Sequence, residues 1–161
     1  VGWDLSDDDR ALLDFTRHVA RVRREHPTFR RRKFFRGREI RGSDVKDVAW
    51  IRPDGAEMTD QEWNSGFVRC FGMALGGDAM EEWDDHGDQI TDDDFLLLFN
   101  ADGGSMAFTL PVFGRVKQWS VVLDTNEPTL EEGSRRYPPG EALTLEGRSM
   151  VVLQAVANGE A

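Results

Sequence analysis

The first forty residues carry apolar positions with the period of an α-helix. The apolar stripe recurs at spacings of three and four and comprises Leu12, Phe15, Val19 and Val22. Ser6 is a good N-cap, and the three aspartates that follow it place negative charge at the positive end of the helix dipole. Pro27 disfavours helical geometry at the residue before it. The pattern therefore predicts one helix, about 30 Å long, that ends near Glu25.

From about residue 45 the pattern changes to short runs of Val, Trp, Phe and Leu separated by Gly, Pro, Asn and Asp. Such runs are typical of β-strands bounded by turns. The predicted strands lie at 48–52, 67–75, 95–100, 106–111, 118–124, 142–145 and 149–154. Short strands at this spacing favour an antiparallel β-sandwich, so the predicted fold is mainly β, with one long α-helix before the sandwich.

The connections between the strands carry their own signals. The segment 102–104, Asp-Gly-Gly, predicts a hairpin between the strands that flank it. Thr59 and Glu62 have the spacing of a capping box, which predicts a single helical turn. Two long stretches, 76–94 and 128–140, lack a strand signal and are predicted to be loops.

The charge of the chain is divided unevenly. The 161 residues have a net charge of −10, yet residues 10–41 carry +9 and residues 42–161 carry −15. The basic run at 30–33 is flanked by phenylalanines, a combination that can bind nucleic acid. Because the acids that follow would repel phosphate, no nucleic-acid partner is expected.

The composition also limits the setting of the protein. With 39% hydrophobic and 31% charged residues, the chain is suited to one packed domain. No apolar run is long enough to span a bilayer and no signal peptide is evident, so no membrane partner is expected. The lone Cys70 is predicted to be a small buried thiol, and the expected location is the cytoplasm.

Ordered motifs along nearly the whole chain resemble one known family. The segments are 3–6 (WDLS), 10–16 (RALLDFT), 23–27 (RREHP), 47–59 (DVAWIRPDGAEMT), 75–80 (LGGDAM), 93–101 (DDFLLLFNA) and 108–111 (FTLP). Together they resemble the end of the catalytic barrel and the C-terminal β domain of isoamylase-type glycogen debranching enzymes of the α-amylase superfamily. Each motif is weak alone, and their order makes the resemblance specific.

The resemblance implies a fragment with two parts. Residues 1–42 would be the last helix of a β/α barrel with its linker, and residues 43–161 the C-terminal antiparallel β-sandwich domain. Family members cleave α-1,6 branch linkages of glycogen or limit dextrin with three carboxylates on barrel strands. The motifs for those carboxylates would lie upstream of residue 1, so this chain is expected to be structural and non-catalytic.

The same resemblance sets the expected ligands. The parent enzyme would bind branched α-glucan, while the fragment is expected to hold no catalytic residue, cofactor or metal. A carbohydrate-binding β-sandwich module is the alternative function. Trp3 and Asp4 precede the helix. The resemblance therefore places them in the loop after the last barrel strand, on the face where barrel enzymes hold substrate, which makes them candidates for glucan contact. Glu57 and Trp63, between barrel and sandwich, are the second pair of candidates. The acidic pair at 81–82 is expected to be solvated.

The apolar stripe of the helix needs a partner outside its barrel. Leaving all four side chains in water is unfavourable by several kcal/mol. The helix could fold back on the sandwich through the linker 27–42, or it could pair with the stripe of a second molecule. Because the sandwich is expected to be closed around its own core, self-association through the exposed helix face is favoured.

Overall fold

One long helix and two antiparallel sheets dominate the part of the chain that the structure describes. The computed structural model describes residues 4–37, 46–66 and 68–156. The helices are α1 (Asp7–Glu25) and the single turn α2 (Asp60–Trp63), with 3-10 turns at Pro27–Arg30 and Gly77–Ala79. The strands are β1 (Val48–Ile51), β2 (Cys70–Leu75), β3 (Phe95–Asn100), β4 (Met106–Thr109), β5 (Gln118–Asp124), β6 (Arg136–Tyr137), β7 (Ala142–Leu145) and β8 (Ser149–Val156).

The strands form a sandwich of unequal sheets. The larger sheet has the order β1-β2-β3-β8-β5-β6, and β4 pairs with β7 in the smaller one. Side chains from the facing surfaces build one buried core, which includes Leu96, Leu98, Phe108, Trp119, Leu145 and Leu153. A Cβ at Gly72 would come within 3.0 Å of the Phe108 ring, so glycine there lets the two sheets approach closely. The predicted antiparallel β-sandwich is confirmed.

Helix α1 begins and ends where the sequence predicts. Asp9 N donates to Ser6 Oγ at 3.2 Å, and Ser6 N donates back to Asp9 Oδ2 at 3.0 Å, which closes a reciprocal capping box. At the other end, His26 N donates to Val22 O at 3.1 Å, and Pro27 then starts the 3-10 turn. Within the described ranges, neither helix is long and apolar enough to cross a membrane.

The turn at 102–104 is not the hairpin that its sequence predicts. Strand β3 already pairs with β2 on one edge and β8 on the other, so neither edge is open to β4. The buried side chain of Asn100 donates from Nδ2 to the carbonyls of Gly104 and Glu146, at 2.8 and 3.0 Å. These bonds direct the chain across to the smaller sheet. The predicted loop at 128–140 also contains β6, whose two residues pair with β5.

Helix α1 lies on the outer face of the larger sheet. Val22 is buried there and Phe15 is half-buried, in a cluster with Val48, Leu75, Phe95, Leu97 and Val152. His18 Nε2 is 2.8 Å from Val122 O, which ties the middle of the helix to β5. The helix therefore folds back on its own sandwich, and the expectation that all four stripe residues are left for a second molecule is wrong. The sheet offers two apolar faces, and α1 covers the outer one.

Part of the stripe remains exposed. Leu12 is 66% exposed and Val19 is 40% exposed, although they belong to the same stripe as Phe15 and Val22. Self-association through these two residues stays a prediction. The division between residues 42 and 43 also stays a prediction, because it falls among residues 38–45, outside the described ranges.

The basic segment after α1 lies against the acidic loop 76–94. Glu82 Oε1 accepts from the backbone N–H of Arg32 and of Lys33, at 2.7 and 3.2 Å. His26 Nδ1 lies 2.9 Å from Asp92 Oδ1. The oppositely charged blocks of the sequence thus contact each other within one molecule.

Candidate functional site

A tight turn after β1 fixes the position of Glu57. Gly55 has φ +85°, in the left-handed region that favours glycine, and its N–H donates to Arg52 O at 2.9 Å. Arg52 N donates to Ala56 O at 2.8 Å, so the chain reverses direction. Glu57 then pairs with Ile51 in an antiparallel bridge. The carboxylate is thereby held beside the edge strand of the larger sheet.

Trp63 belongs to an aromatic surface on the outer face of the same sheet. We define this surface as Trp50, Trp63, Phe71 and Phe99. The ring of Trp63 lies 4.6 Å from that of Trp50, and Phe71 stacks on Phe99 at 5.1 Å between centroids. Half of Trp63 (51%) is exposed, although aromatic side chains of this size are normally well buried. The aromatic surface is thus an apolar area open to a partner.

Helix α2 is held rigidly despite its single turn. Its capping box is complete, since Thr59 N donates to Glu62 Oε2 at 2.8 Å and Glu62 N donates to Thr59 Oγ1 at 3.3 Å. Arg52 Nη1 donates to Glu62 Oε1 at 2.7 Å. The Thr59 N–H and the Arg52 guanidinium together lower the pKa of Glu62 to about 2. These bonds fix the orientation of Trp63.

A pocket of about 490 Å³ lies between β1, β2 and the segment 112–115. We call it the edge pocket. Its wall includes the charged residues Lys46, Glu57, Asp94 and Arg115 and the apolar residues Val112 and Phe113. Lys46 Nζ donates to Glu57 Oε1 at 2.6 Å, and Arg115 Nε donates to Asp94 Oδ2 at 2.7 Å. The edge pocket therefore combines two ion pairs with an apolar floor that reaches Ala49 and Ala74.

Comparison with known proteins gives this architecture a family. The family model described as "Isoamylase, C-terminal" matches residues 47–154, which is most of the chain. The chain belongs to the isoamylase C-terminal family. The matched range begins just before β1 and ends in β8, so it includes strands of both sheets, α2 and the wall of the edge pocket apart from Lys46.

Curated relatives extend the match to α1. The chain is 39% identical over 96% of its length to the Glycogen operon protein GlgX homolog of Mycobacterium tuberculosis, and covers 21% of that protein. It is 26% identical over 92% of its length to an Isoamylase of a Flavobacterium species, covering 18% of it. It is 41% identical over 68% of its length to a Glycogen debranching enzyme of Dickeya chrysanthemi, covering 13%. The chain thus spans about a fifth or less of the relatives it matches.

Of the four predicted glucan contacts, Glu57 and Trp63 lie apart from each other, and a common site for all four stays a prediction. Trp3 lies outside the described residues. Asp4 is exposed ahead of α1 and makes no hydrogen bond or ion pair with other described residues. Trp63 packs on Trp50, whereas Glu57 shares the edge pocket with Ala49. Ala49 and Trp50 are consecutive residues of β1, so their side chains point to opposite faces of the sheet. Glu57 and Trp63 therefore lie on opposite sides of β1.

The acidic residues that could suggest a glycosidase have structural roles in this family member. Glu82 Oε1 accepts hydrogen bonds from two backbone N–H groups. Asp84 Oδ1 accepts from the N–H of His86 and of Asp88, at 2.8 and 3.0 Å. These bonds shape the loop 76–94. That the paired acids of this loop are not a catalytic pair stays a prediction.

Of the described residues, His26, Asp92 and Asp93 bring three potential metal ligands within 4.8 Å of one another. Their atoms already have protein partners. Asp92 accepts from Thr28 N at 2.9 Å and lies beside His26, and Asp93 Oδ2 accepts from Gln154 Nε2 at 2.6 Å. The group joins the end of α1 to the start of β3 and to β8, and its bonds account for its position without an ion.

Sequence reasoning missed three charged residues of the edge pocket. Arg115 is separated from Asp94 by 21 residues, and Lys46 from Glu57 by 11. No local motif links such positions. One usable signal was the isolated arginine at 115 in the apolar segment 110–116, since a lone charge between buried residues generally has a partner.

We expect the anchoring of α2 to weaken in acid. The pKa of Glu62 is about 2 in the folded protein against an ordinary value of 4.5, so the stabilisation is complete above pH 4.5. It is lost as the pH falls from about 4.5 to about 2. An NMR titration of the Glu62 carboxyl carbon should show a midpoint near 2. In Arg52→Met the midpoint should rise, and a midpoint near 4.5 in the unmodified chain would contradict the geometry of α2.

Proposed function

We propose that the chain is the C-terminal structural part of an enzyme that hydrolyses α-1,6 branch linkages of glycogen or limit dextrin. The observation that carries this proposal is the match of the isoamylase C-terminal family over residues 47–154. The relatives' names, which include a glycogen operon protein and a glycogen debranching enzyme, favour branched α-glucan as the substrate of the parent. A cytoplasmic location is part of the proposal and suits a chain whose Cys70 is a buried thiol, its pKa raised by that burial.

The geometry favours a non-catalytic role for this part. Retaining glycoside hydrolysis needs two carboxyl groups about 5 to 5.5 Å apart on either side of the scissile bond. The carboxylates of the edge pocket, Glu57 and Asp94, are each engaged by a cation. Asp94 also accepts from Gly77 N at 2.8 Å. Carboxylates tied in this way are suited to holding a pocket open and unsuited to attacking a sugar.

The proposed role is to support the catalytic part of the parent. Leu12 and Val19 of α1 are exposed, and the aromatic surface lies on the same outer face of the larger sheet that α1 partly covers. This combination of aliphatic and aromatic side chains has the chemistry of a stable interface. We propose that the remainder of the parent enzyme docks there, with Trp63 near the centre of the contact.

A carbohydrate-binding module is the second candidate function. The exposed half of Trp63 favours it, because sugar rings pack their C–H faces on tryptophan. In that case Trp63→Ala would abolish the binding of maltooligosaccharides to this chain. Under the docking proposal the same change would weaken association with the catalytic part and leave sugar binding unaltered.

An activity assay tests the main proposal. The purified 161-residue chain should release no reducing ends from pullulan or limit dextrin. The polypeptide extended upstream through the reading frame should release them. Hydrolysis by the 161-residue chain that is lost in Glu57→Gln would overturn the proposal, as would an extended polypeptide that leaves both glucans intact.

A further inference from the structure

The edge pocket is a built recess of the fold with no part in the proposed hydrolysis. Its volume of about 490 Å³ lies within the range of small-molecule sites. It is bounded by ordered elements on three sides, namely β1, β2 and the segment 112–115, which returns from the smaller sheet. A recess of this size can hold a ligand of one or two sugar rings.

The charges of the edge pocket are balanced in pairs. Lys46 faces Glu57, while Arg115 faces Asp94 and also contacts Asp78. A charged ligand would have to displace one member of a pair from its partner, which opposes binding. A neutral ligand with several hydroxyl groups can donate to the carboxylates and accept from the cations without separating them. The electrostatics therefore favour a neutral polyhydroxylated ligand.

The apolar part of the edge pocket suits the C–H face of a sugar. Val112 is 74% exposed at the rim, next to the half-buried Phe113. The ring of Phe113 lies 6.1 Å from that of Trp119 in an edge-on arrangement, so the core holds it in place. The exposed valine and the fixed aromatic ring offer an apolar surface for the C–H face of a sugar, beside groups that can hydrogen-bond its hydroxyls. We infer that the edge pocket binds a short α-linked glucose chain.

This inference rests on the proposed function for the choice of α-glucan, and it adds a second binding place remote from catalysis. Glu57 and Lys46 would hydrogen-bond hydroxyl groups, and Val112 would contact the ring. Glu57 can do so because its side chain is 48% exposed while it pairs with Lys46. A site of this kind would hold the parent enzyme on a branched polymer while another branch is cleaved.

NMR titration of the full 161-residue chain with maltotriose tests the inference. We expect saturable shifts of the backbone amides of residues 49, 76, 114 and 115, and none at Trp63. Glu57→Gln should weaken binding about tenfold, because a charge-assisted hydrogen bond is lost. Val112→Ala should weaken it about threefold, since part of the apolar contact is removed. Both residues are exposed enough that the variants should keep the folded spectrum.

Two controls make the result decisive. Trp63→Ala should bind maltotriose as the unmodified chain does, and inorganic phosphate should not shift the same amides. Absence of shifts around the edge pocket at saturating maltotriose, or binding lost in Trp63→Ala and kept in Glu57→Gln, would overturn the inference. The proposed function fails by a different result, an extended polypeptide that leaves both pullulan and limit dextrin intact, so the two failures are distinguishable.

Discussion

Replacing Asp47 by alanine should lower the free energy of unfolding by about 3–5 kcal/mol, because it leaves a buried arginine without its counter-ion. The side chains of Asp47 and Arg31 are only 6% and 5% exposed, with 3.6 Å between Asp47 Oδ2 and Arg31 Nη2. The Asp47 carboxylate also accepts from the backbone N–H of Arg36 and of Gly37, both at 2.8 Å. The variant would lose all three interactions. Urea denaturation measures the change.

The partner substitution should cost much less. In Arg31→Met the carboxylate keeps both backbone N–H donors, and methionine fills the space beside Phe35, whose ring centroid lies 4.4 Å from Arg31 Cζ. Arg31 Nε and Nη1 have no hydrogen-bond partner among the described residues, so removing them relieves a desolvation cost. We expect a loss of at most about 2 kcal/mol. Equal destabilisation by Arg31→Met and Asp47→Ala would show that the two backbone N–H bonds to Asp47 add little beyond the ion pair.

The local features of this fold could be predicted from the sequence because each has a local physical cause. Ser6 with Asp9, and Thr59 with Glu62, are three residues apart, and both capping boxes form. The seven predicted strands all overlap observed ones, since runs of branched and aromatic residues are long enough to mark them. Strand β6 has only two residues before a pair of prolines, which is too short for any periodic signal.

Pairing between distant elements could not be predicted in the same way. The segment 102–104 has a sequence typical of a hairpin turn. No hairpin forms there because β8, almost fifty residues later in the chain, pairs with the edge of β3. Helix α1 could pack on its own sandwich only if the outer face of the larger sheet was apolar. The alternation of Phe95, Leu97 and Phe99 with Leu96 and Leu98 shows that both faces of β3 are apolar. A strand buried on both faces needs a cover such as α1.

The candidate site was harder to predict than the fold for the same reason. Glu57 and Trp63 are only six residues apart in the sequence, and the segment between them, which follows the turn at Gly55, passes from one side of β1 to the other. The residues that meet Glu57 in the edge pocket come from three other segments. Only the complete topology brings Lys46, Asp94 and Arg115 to one recess.

Replacing Phe95 by alanine should release α1 from the sheet and lower the free energy of unfolding by about 3–5 kcal/mol. Phe95 is fully buried, and its ring lies 4.7 Å from the rings of both His26 and Phe29, just after the helix. The cavity left behind would remove the floor on which Val22 packs. Hydrogen exchange of the α1 amides should therefore accelerate more than exchange of β5.

Phe99→Ala is the matched control, since Phe99 is on the same face of β3, half-buried, and stacks on Phe71 away from α1. It should cost about 1–2 kcal/mol and leave α1 protected. Sedimentation across concentration should show stronger self-association for Phe95→Ala than for the control, because only a released helix presents Phe15 and Val22 to a second molecule. Equal exchange of α1 in both variants would mean that contacts other than Phe95, such as His18 with Val122, hold the helix on the sheet.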